Sequence, residues 1–226
     1  MPNLGKADRA FLAERVLPTL GADRDDVAIG PAHGVDFGLL DLDGTALAIA
    51  TDPLSILPRL GFERAGRFAV EFVLADVAVS GLAPSHLAIA FTLPPEMDDE
   101  SFSRVWGAIH DEAADLGVSI VTGHTARYAG CSFPWVGAAT ALAAGDRDDV
   151  IRPDGARVGD ALLVTNGPAV ETVGLLATLF PDALGLAEPA LSTAQARLAE
   201  PACVRDAMPA SAARARGVHA LHAATE

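Results

Sequence analysis

The sequence predicts an α+β fold: a mixed sheet with helices over the first two-thirds and a shorter α/β segment after it. Three observations carry this. Short apolar runs bounded by Gly, Pro and Asp recur at 37–42, 45–51, 85–93, 118–122 and 134–144, which is strand patterning. Two longer stretches, 65–80 and 98–116, carry apolar residues at helical spacing. Composition breaks at Gly145-Asp-Arg-Asp-Asp and again at Arg152-Pro-Asp-Gly155, which sets a boundary near residue 150 and domains of 1–150 and 151–226.

Residues 8–17 form a short helix with Phe11, Leu12, Val16 and Leu17 on one face, ended by Pro18 and Gly21. Gly30-Pro31-Ala32-His33-Gly34 is a loop by composition. Strand 37–42 turns at Asp43-Gly44, a hairpin signal, and returns as 45–51. The return strand puts Leu47 and Ile49 on one face and Ala46, Ala48 and Ala50 on the other, small enough for a helix to approach closely. Asp52-Pro53 ends it. The helix at 65–80 buries Ala65, Phe68, Ala69, Phe72, Val73 and Val77.

Pro94-Pro95 closes strand 85–93. Asp98 or Asp99 caps the next helix, whose apolar stripe includes Phe102, Val105, Trp106, Ile109, Ala113 and Leu116 and stops at Gly117. Strand 118–122 ends at Gly123-His124-Thr125, and 134–144 is a further strand. Beyond the boundary the pattern gives a strand at 161–165 and a helix from Asn166-Gly167-Pro168 to about Phe180. It then gives helix over 191–216 broken near Pro201, and the start of a strand at 217–224. About 75 residues are few for an independent core, so the chain is expected to be part of a longer protein.

Composition narrows the function. Half of the 226 residues are hydrophobic and the net charge is −14, which argues against a nucleic-acid surface. Lys6 is the sole lysine. Such acidity suits a high-salt cytoplasm, and a GC-rich genome would equally replace Lys by Arg. Cys131 and Cys203 form no CxxC and point to a reducing compartment. The N-terminus lacks an apolar h-region, and the longest apolar stretch, 68–93, is broken by Glu71, Asp76, Ser80, Pro84 and His86. A soluble cytoplasmic protein without a membrane span is expected.

The chemistry concentrates on three acids. Asp76 lies four residues after Phe72 and eight after Phe68, inside the apolar stripe. A bare carboxylate turned inward costs several kcal/mol, so it needs a cation, a donor or a proton. Arg67 or a helix N-terminus is one alternative partner. Asp52 sits at a strand's carboxyl end, where sheets place ligand sites, although an Asp-Pro turn explains it too. Asp36 follows the Gly30–Gly34 loop, whose amides suit a phosphate, and a cap or turn is its plain reading. Two carboxylates about 4 Å apart repel by roughly 4 kcal/mol at a dielectric near 20. A bound Mg²⁺ reverses the sign and takes one or two carboxylates plus phosphate oxygens. Gly123 permits close backbone approach and Thr125 offers a hydroxyl, as would any strand-to-loop turn. His124 is a poor magnesium ligand, since imidazole suits zinc or iron.

Several segments together resemble one superfamily. They are Gly30-Pro-Ala-His-Gly-Val-Asp36, Ala50-Thr-Asp-Pro53, Leu74-Ala-Asp-Val-Ala-Val-Ser-Gly-Leu-Ala-Pro84, Gly117-Val-Ser-Ile-Val-Thr-Gly-His-Thr125 and Arg152-Pro-Asp-Gly-Ala-Arg-Val-Gly-Asp-Ala-Leu-Leu-Val-Thr165. In this order they resemble the AIR synthase (PurM) related superfamily. That group includes aminoimidazole ribonucleotide synthetase, thiamine-monophosphate kinase, selenophosphate synthetase and the hydrogenase maturation factor that makes thiocyanate. The resemblance implies a PurM-like N-terminal ATP-binding domain whose strands pair with a second subunit to form a barrel in a homodimer, followed by a partial C-terminal domain. It implies Mg²⁺ on Asp36, Asp52 and Asp76, and ATP contacts from Gly34, Thr51, Gly123, His124 and Thr125 as well. The shared chemistry transfers phosphate from ATP to an amide, carbamoyl or phosphate oxygen, mainly by positioning and charge neutralisation.

The chain departs from the pattern in four places. Val35 replaces a common additional acid, and His124 replaces an Asp of several branches. Ala223 stands where an Asp is usual, and the sequence ends in Glu226 rather than the thiocyanate branch's cysteine. Three functions follow as expectations: an ATP- and Mg²⁺-dependent enzyme, including a hydrogenase-maturation type; a catalytically inactive nucleotide-binding dimer serving a maturation-protein partner; and a ligand-free structural dimer.

Overall fold

The apolar runs assemble into one six-stranded sheet in the computed structural model, which describes residues 5–165, 167, 169–199, 202–212 and 217–224. The strands are β1 (Val27–Ile29), β2 (Gly38–Leu42), β3 (Thr45–Ser55), β4 (His86–Leu93), β5 (Ser119–Arg127) and β6 (Trp135–Asp146), in spatial order β1-β2-β3-β6-β4-β5. The helices are α1 (Arg9–Phe11), continuing as a π-helical turn (Leu12–Val16), α2 (Phe62–Ala78), α3 (Asp99–Asp115), α4 (Val170–Leu179), α5 (Pro181–Leu184), α6 (Glu188–Ala199) and α7 (Cys203–Ala212). Strands β4 and β5 run parallel, joined by the crossover helix α3, and the other neighbours are antiparallel.

Local signals explain the element ends. Asp43 and Gly44 both have positive φ, 52° and 92°, as the tight β2–β3 turn requires. The Asp98 carboxylate accepts from the Ser101 N–H at 2.7 Å and caps α3, and Gly117 takes φ 72° just past its end. Helices α2 and α3 lie side by side on one face of the sheet. A Cβ on Gly66 would come within 2.6 Å of the Val105 carbonyl oxygen, so glycine lets these helices touch. Ala46, Ala48 and Ala50 are buried beneath α2, the small face that the alternation predicts. On the opposite face Leu47, Ile49, Thr140 and Leu142 stay half-buried and Thr51 is exposed.

Four expectations are corrected. Asp52-Pro53 does not end β3, which runs on to Ser55. Pairing with β2 stops at Ile49, so the proline lies where one side of the strand has no ladder to interrupt. Gly123-His124-Thr125 is not a turn; it is the middle of β5, paired with Ile89, Ala90 and Phe91 of β4. Neither 161–165 nor the described residues 217–224 form a strand. Val158, Leu162 and Leu163 are 109%, 93% and 86% exposed, a strand-like sequence with no neighbouring strand among the described residues.

The second half packs onto the first through helices. Helix α4 lies against α6, α7 lies against α2, and Leu198 and Val204 join the main core. A buried ionic network fixes α7. Arg205 Nη1 bonds Glu71 Oε1 at 2.9 Å and also Glu112, while the Val204 N–H donates to Glu71 Oε2 at 3.2 Å. Arg67 Nε pairs with Glu112 Oε2 at 2.9 Å. Glu71 and Glu112 are only 1% and 2% exposed, so each needs its arginine. No helix among the described residues is long and apolar enough to cross a membrane.

Candidate functional site

Asp52 and Asp76 come together because two periodicities agree. Period two in β3 puts Asp52 on the side of Ala46, Ala48 and Ala50, beneath α2. Period 3.6 in α2 puts Asp76 in its last turn on the sheet-facing stripe. Asp76 Oδ1 is fully buried and has no hydrogen-bond partner among the described residues. Burial pushes the Asp76 carboxyl up to about 8, the adjoining Asp52 carboxylate adds to this, then Asp36, while Lys6 opposes it. Either a proton shared with Asp52 or a cation relieves such a pair. Arg67, the alternative partner that the sequence offers, is committed to Glu112.

Asp36 lies in the loop just before β2, and its charge reaches Asp76. Its Oδ2 accepts from His222 Nδ1 at 2.8 Å and from the Ala223 N–H at 3.2 Å. These partners lie 186 and 187 residues away in sequence, so no local pattern could point to them. Gly34 precedes Asp36 by two residues with φ 78°, a left-handed turn that favours glycine.

The remaining candidates lie elsewhere. Strands β6 and β4 separate β3 from β5, which puts Gly123, His124 and Thr125 about 14 Å across the sheet from Asp52. A Cβ on Gly123 would lie 2.0 Å from the Ile89 carbonyl oxygen, so close approach of β4 already demands this glycine. His124 Nε2 lies 2.8 Å from the Tyr128 hydroxyl, and the two rings stack. A cavity of about 320 Å³ opens at this edge, lined by Ile89, Trp106, Ile120, Gly123 and Thr125 among others. Thr51 turns to the face opposite Asp52, where its hydroxyl bonds that of Thr140 at 2.9 Å. Tyr128 and Trp106 gave no site signal in sequence; Trp106 reads there only as part of a helical stripe.

Among the described residues no three His, Cys, Asp or Glu side chains gather tightly enough to enclose a metal ion. A hard cation such as Mg²⁺ does not require that, since it takes one or two carboxylates and fills its shell with water and ligand oxygens. The donorless, buried Asp76 Oδ1 beside Asp52 fits this demand. The all-oxygen donor set suits Mg²⁺ better than zinc.

Residues 34–143 match the family described as AIR synthase related protein, N-terminal domain. Among solved structures, AaThiL complexed with AMPPCP and TMP is 20% identical over 80% of this chain and 58% of its own, with a TM-score of 0.65. Thiamine monophosphate kinase from Aquifex aeolicus gives 19%, 80%, 60% and 0.61. Thiamine-monophosphate kinase from Stenotrophomonas maltophilia gives 22%, 84%, 60% and 0.61. At these identities the likeness establishes the fold, which is the α+β, PurM-like arrangement that the motifs imply. The chain spans 58–60% of the length of these three structures. No curated protein matches it.

Proposed function

With residues 34–143 matching the AIR synthase related N-terminal domain family, we propose that this protein binds ATP together with Mg²⁺ and transfers a phosphoryl group to an amide, carbamoyl or phosphate oxygen. The observation that carries the reading is the buried Asp76 oxygen, donorless and beside Asp52. A structure of this fold with AMPPCP bound supports a nucleotide as ligand. Asp52 and Asp76 would hold Mg²⁺, with Asp36 alongside; when bound, the ion neutralises charge on the phosphates. The turn at Gly34 offers backbone amides to the same ligand. Catalysis then rests on positioning, with the acids fixed by α2, β3 and the loop before β2.

A homodimer belongs to this reading. Among the described residues no strand pairs with the outer edge of β5 along its nine residues, and one face of the sheet is only half-covered, which suits pairing with a second copy. Such pairing would bring one protomer's Gly123, His124 and Thr125 into play at a shared barrel. The test is thermal melting with Mg²⁺ and a non-hydrolysable ATP analogue. At a hundred times the dissociation constant the gain is about 2.7 kcal/mol, and no rise at saturation overturns the proposal.

A second reading has its own observation. Ala223 meets Asp36 through its backbone alone, at a place where the family usually carries an acid. A nucleotide-binding but inactive dimer serving a maturation-type protein partner follows from that loss. Single-turnover phosphate release from ATP separates the two, since any turnover removes the inactive reading.

A further inference from the structure

Asp36 is gripped from the far end of the chain. His222 Nδ1 at 2.8 Å and the Ala223 N–H at 3.2 Å both fall on Oδ2. The Asp36 side chain is 11% exposed and that of His222 is 59% exposed, so the imidazole caps the carboxylate from the solvent side. The segment carrying His222 is itself anchored. His219 Nδ1 lies 2.9 Å from Asp160 Oδ1, and a Cβ on Gly155 would stand 2.2 Å from the His219 carbonyl oxygen. Leu221 and Ala223 pack partly against the core. Residues 217–224 are therefore seated at the site and at the 152–160 crossing together.

Two donors on one carboxylate oxygen set the plane of the group and leave its other oxygen for a third partner. Ligating carboxylates depend on such outer hydrogen bonds, whose loss costs about 10–100-fold in metal affinity. We infer that His222 is a positioning residue: through the Oδ2 contact it orients Asp36 so that Oδ1 serves the cation of the nucleotide site. The second half of the chain thereby completes a site otherwise built by the first. This inference rests on the nucleotide and cation reading given above. A contact that merely blocked Asp36 would have the opposite sign, since its removal would free both oxygens and tighten binding.

The experiment measures Mn²⁺ affinity by electron paramagnetic resonance, with the full chain and a saturating non-hydrolysable ATP analogue. It compares the wild type with His222→Phe, which removes the donor, and His222→Asn, which keeps one. The expected result is a loss of about tenfold or more in Mn²⁺ affinity for His222→Phe, with His222→Asn close to wild type. The ligand-free melting temperatures should agree, as the side chain is mostly exposed. Unchanged or tighter binding by His222→Phe overturns the inference, and so does an equal loss in both variants. A wild type that binds neither Mn²⁺ nor the analogue overturns the nucleotide reading itself, which is a distinguishable result.

Discussion

Asp76 of α2 and Asp52 of β3 face each other beneath the helix, and the Asp76 Oδ1 has no donor in reach among the described residues. Asp76→Asn therefore has two expected effects of opposite sense. It removes cation-dependent nucleotide binding, read by titration calorimetry with Mg²⁺ and an ATP analogue. It also raises the stability of the ligand-free protein at pH 8 by about 1–3 kcal/mol, because the neutral amide has no charge to be desolvated or repelled by Asp52 and Asp36. Urea denaturation measures the second effect. A variant that binds as well as wild type excludes Asp76 from the site.

The Glu71 network makes a separate prediction about pH. Burial pushes the Glu71 carboxyl up to about 7, the charge of Glu112 adds to this, and Val204 and Arg205 pull against it. The folded protein thus holds a proton that the unfolded chain releases near the ordinary value of 4.5. Stability from this group is fully present below about 4.5 and falls as pH rises to about 7. Arg205→Met should cost about 2 kcal/mol at pH 8, a figure reduced because Arg205 is partly exposed, and clearly less at pH 5. Urea midpoints at the two pH values check this; equal losses would remove Arg205 as the partner that keeps Glu71 charged.

Gly123 tests whether strand contact or ligand approach fixes that residue. Gly123→Ala puts a methyl 2.0 Å from the Ile89 carbonyl oxygen and must push β5 from β4. The expected loss is about 1–3 kcal/mol without any ligand present, seen as a lower melting temperature. A variant as stable as wild type that fails only to bind nucleotide would assign the glycine to the ligand.

The exposed stretch after the crossing gives a prediction of opposite character. Leu162→Ser with Leu163→Ser should change stability by no more than about 0.5 kcal/mol, because neither side chain is buried. Binding of a hydrophobic dye should fall markedly. A large destabilisation would mean that these leucines are covered in solution.

Elements defined by neighbouring residues were legible in the sequence. The Asp43-Gly44 turn, the Asp98 cap, the Ala46-Ala48-Ala50 face and the inward Asp76 all rest on spacings of a few residues. What was not legible depended on partners far along the chain. Pro53 stays in β3 because β2 has already ended, a fact of sheet order rather than of composition. Gly123 looks like a turn until β4 is known to lie beside it. The strand signal at 161–165 is not realised, because the apolar run has no neighbouring strand to pair with among the described residues. Arg205 and His222 find Glu71 and Asp36 across more than a hundred residues, and nothing near either residue announces it.

The pairing of β3 with β6 has a kinetic consequence. Partners such as Thr45 with Asp146 and Ser55 with Trp135 are roughly 80–100 residues apart in sequence. Closing so long a loop comes before any reward from the contact, and domains rich in such pairings fold slowly. During synthesis β3 emerges well before its mate and must wait, while the nearby β4–α3–β5 unit can begin to organise by itself. Refolding of the isolated protein should therefore be limited by the docking of these two long strands.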